Sequence, residues 1–291
     1  PEEWAEGTDG ITTSKIGYSI AMPELDGQTE FIWTAGREID PETEAIGFRP
    51  ITPVDEQVAW LADRVLALGK LRHTANPDKR IAVIYYNHGG GKNNLGASYL
   101  DIVPSLTNLL NAMKAEGYSV IGEVPDEDGL LDLMLLQGRN VGTWAPGELD
   151  RMVEDGDVVL LPVKTYTGWF HGLPAERQHE VIEKWGEPPG EIMVYQNGGK
   201  EYLVIPTISF GNVLLAPQPT RGWLQNEEIL YHDKDLPPHH QYIAFYLWLR
   251  NEFGADAIVH FGRHGTHEWL PGKERGLSAT DWPPLLIGDC P

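Results

Sequence analysis

The chain has 291 residues, 41% hydrophobic and 22% charged, the composition of an ordinary folded protein with enough length for one large core or two smaller ones. Its 43 acidic and 22 basic residues give a net charge of −21, which argues against nucleic acid as a partner, and no apolar run of about 18 residues exists to span a membrane. The single cysteine, Cys290, excludes an internal disulfide framework and thiolate-rich metal sites, so a metal would have to be met by His, Asp, Glu or backbone oxygen.

The acidic balance serves solubility or attracts a cation or a basic partner. No basic segment followed by an apolar one marks a signal peptide. With one cysteine and no span, a cytoplasmic location is expected. The sequence starts at Pro1 and ends at Pro291, which reads as a fragment of a longer chain.

In chain order, residues 11–51 read as extended segments with turns, with a turn at Pro23-Glu24-Leu25-Asp26-Gly27 and a strand at Phe31-Ile32-Trp33. A helix follows, with Thr52 as N-cap, Pro53 at its first position and Asp55 and Glu56 at the positive end of its dipole. Val54, Val58, Leu61, Val65 and Leu68 form a core-facing stripe, and Gly69 ends the helix. Ile81 to Tyr86 is a continuous apolar run, the pattern of a strand buried on both faces. A glycine-rich loop (87–96), a helix through Ile102, Leu106, Leu109, Leu110 and Met113, and a short strand from Tyr118 to Ile121 complete a βαβ unit. Beyond it we expect a helix over about 128–137, a strand from Asp157 to Val163 and a helix from Ala175 to Trp185. Ile192 to Tyr195 and Tyr202 to Ile208 form a hairpin through Asn197-Gly198-Gly199, and Val213 to Ala216 is another strand. An aromatic helix runs from about 239 to Phe253, and a buried strand from Ala255 to His260 follows Gly254. The fold class is therefore α/β, a mostly parallel sheet with flanking helices and an additional β-hairpin region. Residues 1–75 are expected to pack strands and a helix on an α/β core formed by 76–291.

Chemistry concentrates between His260 and Lys273, where 14 residues hold His260, His264, His267, Glu268 and three glycines. The strand should open there into a loop, and open α/β sheets bind ligands beyond the carboxyl ends of their strands. Imidazoles suit Co, Zn, Ni or Fe and move protons near neutral pH. The bland alternative is a satisfied core His260 with surface His264 and His267. His267-Glu268 begins like a zinc-protease motif, but Pro271 stands where the second histidine is required and would break the helix. Gly89-Gly90-Gly91-Lys92 lacks the spacing and the following Ser or Thr of a P-loop; it is a ligand-approaching loop or a plain turn. His232, Asp233, Asp235, His239 and His240 form either a helix cap with solvated neighbours or a second wall of the same pocket. Tyr242, Phe245, Tyr246 and Trp248 read as core rather than as a cofactor platform.

The stretch His260-Phe261-Gly262-Arg263-His264-Gly265-Thr266-His267-Glu268-Trp269-Leu270-Pro271-Gly272-Lys273 resembles the signature of the large subunits of tetrapyrrole metal chelatases, the family of CobN and the magnesium chelatase large subunit. The resemblance continues, in order, through Ala21 to Gly27, the Tyr86 to Leu100 loop, Lys114 to Tyr118, Trp185 to Gly190, Phe210 to Val213 and the 232–254 region. His232 to Pro238 and Gln218-Pro219-Thr220-Arg221-Gly222 are more similar to the cobalt branch. The resemblance implies an enzyme, a metal chelatase: the tetrapyrrole-binding subunit of an ATP-dependent cobaltochelatase that inserts Co²⁺ into a corrin-type ring in cobalamin biosynthesis. It also implies AAA+ ATPase and adaptor partner subunits that bind the ATP. The alternatives are a magnesium chelatase large subunit inserting Mg²⁺ into protoporphyrin IX, and a non-catalytic tetrapyrrole carrier or sensor. His260, His264 and Glu268 are implied as metal-docking and proton-accepting residues, and Arg221, Arg263, Lys273 and His240 as substrate-binding ones. The family has a small hydroxyl residue where Arg263 stands and an apolar one where His267 stands. His267 therefore inherits no role and is expected to be a surface variant, with an added ligand as the other reading.

Overall fold

The computed structural model describes residues 2–37, 46–47, 49–87, 99–142, 145, 147–222, 233–262 and 265–291. The chain divides into two compact units, Pro1–Leu68 with Pro271–Asp289, and Gly69–Leu270 with Cys290–Pro291. The first unit thus draws in a C-terminal segment beyond the expected 1–75.

In the first unit, Thr13–Ile16, Gly17–Ala21 and Met22–Leu25 form consecutive helical turns, where extended chain is expected. No proline interrupts this run before Pro23, which falls in its last turn just before the chain leaves the helix. The expected turn does follow, with Gly27 at φ 82°. Strand β1 (Ala35–Arg37) pairs antiparallel with β2 (Ile51–Pro53). Phe31-Ile32-Trp33 lies outside any strand; the Trp33 ring packs 4.3 Å from that of Trp4.

Thr52 and Pro53 complete β2, so helix α1 (Asp55–His73) begins three residues after the expected cap. Asp55 and Glu56 still occupy its first turn. Gly69 does not end it, and Lys70, Arg72 and His73 fill the last turn, where cations suit the dipole. The apolar stripe is not core: Val58 is 42% and Val65 56% exposed. The anchor is the buried Gln57, whose amide donates to the carbonyls of Trp33 (3.1 Å) and Leu277 (3.0 Å) and accepts from the Ala279 N–H (2.7 Å). One polar side chain thereby ties the 271–289 segment to the helix.

The second unit is built on a four-stranded sheet of order β7-β8-β3-β9, from β3 (Ile81–Tyr85), β7 (Ile208–Phe210), β8 (Val213–Pro217) and β9 (Ala257–Phe261). Strand β3 runs parallel to both β8 and β9, while β7 is an antiparallel edge. Every residue of β3 and β8 is buried, as continuous apolar runs require. One face packs Ile81, Val83, Tyr85, Val213 and Leu215 against Ile102, Leu106 and Leu110 of α2 (Ile102–Ala115) and Leu130 and Met134 of α3 (Glu127–Gln137). The expected short strand at Tyr118–Ile121 makes a single bridge, Val120 to Gly211, and that bridge is antiparallel. The parallel partners of β3 come instead from far along the chain.

A second sheet of order β4-β6-β5 is wholly antiparallel, from β4 (Val159–Pro162), β5 (Val194–Asn197) and β6 (Lys200–Ile205). Gly198 and Gly199, at φ 58° and 76°, form the two-residue turn of the expected hairpin, which needs positive φ at both positions. Helices α4 (Val163–Phe170) and α5 (Ala175–Trp185) follow β4. Helix α6 (His240–Trp248) is mostly apolar, and all nine of its residues, His240 and Gln241 included, are buried. It continues as a π-helical turn, Leu249–Phe253, which Gly254 ends in the left-handed conformation.

Candidate functional site

The three parallel strands end together, with Tyr85 in register with both Pro217 of β8 and Phe261 of β9. Just beyond those ends Tyr86, Gln218, Gly262, Gly265 and Glu268 join Ile84, His260 and Phe261 around a pocket of about 150 Å³. This is where an α/β sheet offers a ligand site. Its volume is small beside the roughly 300–1,000 Å³ of pockets that enclose organic ligands, and suits a few waters or an ion.

His260 stands opposite Ile84 in the register of β3 and β9, so both side chains point to the same sheet face. Strand β9 is a half-exposed edge and not the buried strand expected; β3 covers one side, and on the other the Ile258 N–H donates to the Pro291 carbonyl at 2.8 Å. The His260 Nε2 lies 2.9 Å from the Tyr246 hydroxyl. His260 is exposed on the strand edge, and the partial loss of hydration on its covered side lowers its pKa, which favours the neutral ring. Glu268 sits on the 3₁₀ turn His267–Trp269 and is exposed. His267 is not the surface side chain expected: it is half-buried, stacks on His260 (centroids 5.3 Å, 24°) and lies 5.0 Å from the Tyr246 ring.

A buried polar scaffold lies beneath the pocket. Gln218 Oε1 accepts from the Thr266 N–H at 2.9 Å, which fixes the amide with its NH₂ toward the hydroxyls of Tyr242 (3.3 Å) and Tyr246 (3.2 Å). Tyr242 and the Thr266 hydroxyl are 3.0 Å apart, and the Thr266 hydroxyl donates to the Pro219 carbonyl at 3.3 Å. Burial pushes the Tyr242 pKa up to about 12 and that of Tyr246 well above its ordinary value, so both keep their protons. Gln218 lines the pocket, and Tyr242, Tyr246 and Thr266 form its buried support. Gln218 and Thr266 fall within the stretches that carry the family resemblance, while Tyr242 and Tyr246 read from sequence only as core, and nothing in sequence signals that the four meet.

Other expected site residues fall elsewhere. His264, Arg263, His232 and the loop 88–98 lie outside the described residues. Arg221 is 2% exposed and donates to the carbonyls of Trp269, Asp233 (2.8 Å) and Leu236 (2.6 Å). It braces the loop that carries Glu268 instead of lining the pocket. His239 caps α6: its Nδ1 accepts the Tyr242 N–H, so Nε2–H donates to the Thr220 carbonyl at 2.7 Å. Burial lowers its pKa to about 3. His240 is buried, with Nε2 against the Gly186 carbonyl (2.9 Å) and Nδ1 against the Tyr166 hydroxyl (2.7 Å), and burial lowers its pKa too. Both its nitrogens are engaged within the fold and it does not line the pocket. Lys273 belongs to the first unit, where its ammonium bonds the Ala5 carbonyl (3.1 Å) and sits over the Trp4 ring. Among the described residues no group of three or more His, Cys, Asp or Glu is placed to hold a metal ion. No helix among them is long and apolar enough to cross a membrane.

Comparison with known proteins places this geometry in context. The CobN/Magnesium Chelatase family matches residues 1–291. The aerobic cobaltochelatase subunit CobN of Sinorhizobium sp is 31% identical over 296 residues, covering 99% of this chain and 22% of that protein. The large (H-type) magnesium-chelatase subunit of Rhodobacter capsulatus is 31% identical over 303 residues, covering 99% of this chain and 24% of that protein. The structure of the catalytic subunit of cobaltochelatase from Mycobacterium tuberculosis superposes with a TM-score of 0.81 at 34% identity, over 100% of this chain and 23% of that one. This chain thus spans about a quarter of the length of the relatives it matches. With a match over its whole length and the fold shared with a solved relative, the chain belongs to the CobN/magnesium chelatase family.

Proposed function

We propose that this chain forms a metal-insertion region of a cobaltochelatase large subunit, which places Co²⁺ in a corrin-type macrocycle. The observation that carries the reading is the pocket at the strand ends, where His260 and Glu268 face one space in a chain that matches this family throughout. Insertion requires a held ring, removal of its two inner N–H protons and a metal ion stripped of water. A neutral imidazole can take a proton or dock a metal, and an exposed carboxylate can do either or orient the imidazole. His260 and Glu268 supply these groups, and the family resemblance adds His264 as a further candidate base or ligand and Arg263 as a candidate partner for the acid groups of the ring. The pocket cannot enclose a tetrapyrrole. The ring therefore lies across the pocket mouth, and the pocket serves the reacting centre.

Histidine favours cobalt, because Mg²⁺ prefers oxygen ligands. ATP is hydrolysed by AAA+ partner subunits working with an adaptor, in the cytoplasm. A magnesium chelatase large subunit is the second reading, supported by a magnesium-branch relative with the same 31% identity as the cobalt one.

The assembled complex with ATP, supplied with Co²⁺ or Mg²⁺ and a corrin-type ring or protoporphyrin, tests this by absorbance. We expect cobalt insertion, and a loss of about 10²-fold or more in His260→Ala and Glu268→Gln with ring binding retained. Unchanged turnover in both variants sinks the assignment. Magnesium insertion alone establishes the second reading, and ring binding without turnover indicates a carrier.

A further inference from the structure

We propose that the open edge of β9 docks a further strand, formed in the full-length subunit by the polypeptide joined to Pro291. That strand runs parallel to β9 and carries the loop after it to the pocket. The inference goes beyond the metal-insertion reading and does not depend on it. Among the described residues β9 stands at the end of its sheet, beside β3. Parallel strands are normally covered on both faces, and β3 and β8 are buried throughout. In β9, by contrast, Val259 is 40% exposed and His260 is exposed as well. Successive residues of a strand turn their N–H and C=O groups to opposite neighbours. The Ile258 N–H points to Pro291, away from β3, so the N–H and C=O of His260 point the same way. Such an edge is a template for another strand.

Cys290 and Pro291 already follow that template. The Cys290 thiol donates to the Ala255 carbonyl at 3.4 Å, and the Pro291 carbonyl accepts from the Ile258 N–H at 2.8 Å, so the chain advances in the direction of β9. Its path is that of a parallel crossover. The chain leaves β9 at Phe261, forms helix α7 (Trp282–Ile287) and returns beside the start of β9. The relatives are about four times as long as this chain, and the added strand belongs to that further length. The even spacing of parallel bonds sets its register. The His260 N–H donates to the carbonyl of the second residue after Pro291, whose own N–H donates to the Ile258 carbonyl. At about 3.3 Å per residue, roughly four residues past Pro291 bring the strand level with the end of β9, where α/β sheets bind ligands.

Disulfide trapping in the full-length subunit tests the pairing. Val259→Cys is combined with a cysteine at the second residue after Pro291, which shares its sheet face in this register, or at the third, which points to the opposite face. On mild oxidation we expect an intramolecular disulfide in the first pair, formed at least about tenfold faster than in the second. A first pair no faster than the second, or a disulfide that joins two copies of the subunit, overturns the proposal. Amide exchange in the unmodified subunit decides it if a variant fails to fold. The His260 N–H should exchange at least about 10²-fold slower than an unstructured amide, and exchange at the unstructured rate overturns the proposal. Neither readout needs turnover, so unchanged metal insertion in His260→Ala and Glu268→Gln would sink the functional reading without altering the strand pairing.

Discussion

Arg221 shows how a residue can be found correctly and placed wrongly from sequence. The family resemblance implied a cation that pairs with the acid groups of a substrate. The fold instead seals the guanidinium against the carbonyls of Asp233, Leu236 and Trp269. Five N–H groups in a flat fork can serve three carbonyls, whereas an ammonium is a compact point charge. Arg221→Lys should therefore cost about 2–4 kcal/mol of stability, read as a lower urea midpoint with an unchanged slope. On the proposed function it should also weaken metal insertion by the assembled complex, because Trp269 neighbours Glu268. His240 teaches the same lesson, since its nitrogens meet Gly186 and Tyr166 in the core. Spacing cannot reveal such partners, which are separated from His240 by 54 and 74 residues.

At the scale of elements, local patterns located strands and helices well but not their pairings. The run Ile81 to Tyr86 marks β3, and Gly198-Gly199 marks the hairpin, because chain stereochemistry and burial act within a few residues. The expected βαβ partner at 118–121 failed because strand choice is settled by distant segments, β8 and β9. The loop after β9 is similarly decided by close packing. Gly265→Ala would press its Cβ on Gln218 Oε1, move the amide and break its bond to the Thr266 N–H. We expect a loss of about 1–3 kcal/mol, the cost of a buried polar group left unpaired, measured by thermal melting. On the proposed function, metal insertion by the assembled complex should fall with it, while far-ultraviolet circular dichroism stays unchanged.

For the whole molecule, acid stability is the property these buried histidines govern. The folded His239 pKa is about 3 against an ordinary 6.5, and burial is the cause. The unfolded chain therefore binds a proton first as the pH falls. Stability is fully present above about 6.5 and declines toward pH 3, by up to about 1.4 kcal/mol per pH unit for this residue. His240 adds in the same direction. His239→Asn keeps a capping acceptor for the Tyr242 N–H and removes the titration. Urea unfolding at pH 7 and pH 5 should show a smaller loss in this variant than in the unmodified protein, and equal losses would refute the assignment.

The sequence by itself determined the α/β class, most helix and strand positions, and the family signature carried by the stretch from His260 to Lys273. Period, turn residues and family signature are local records, and all of them survive in one dimension. Tertiary structure alone decided that β9 is an exposed edge, that His267 stacks on His260, and that Arg221 and His240 serve the fold. It alone brought Gln218, Tyr242, Tyr246 and Thr266 beneath the pocket. These outcomes depend on buried polar groups finding partners across long sequence separations, and those partners exist only once the strands have assembled.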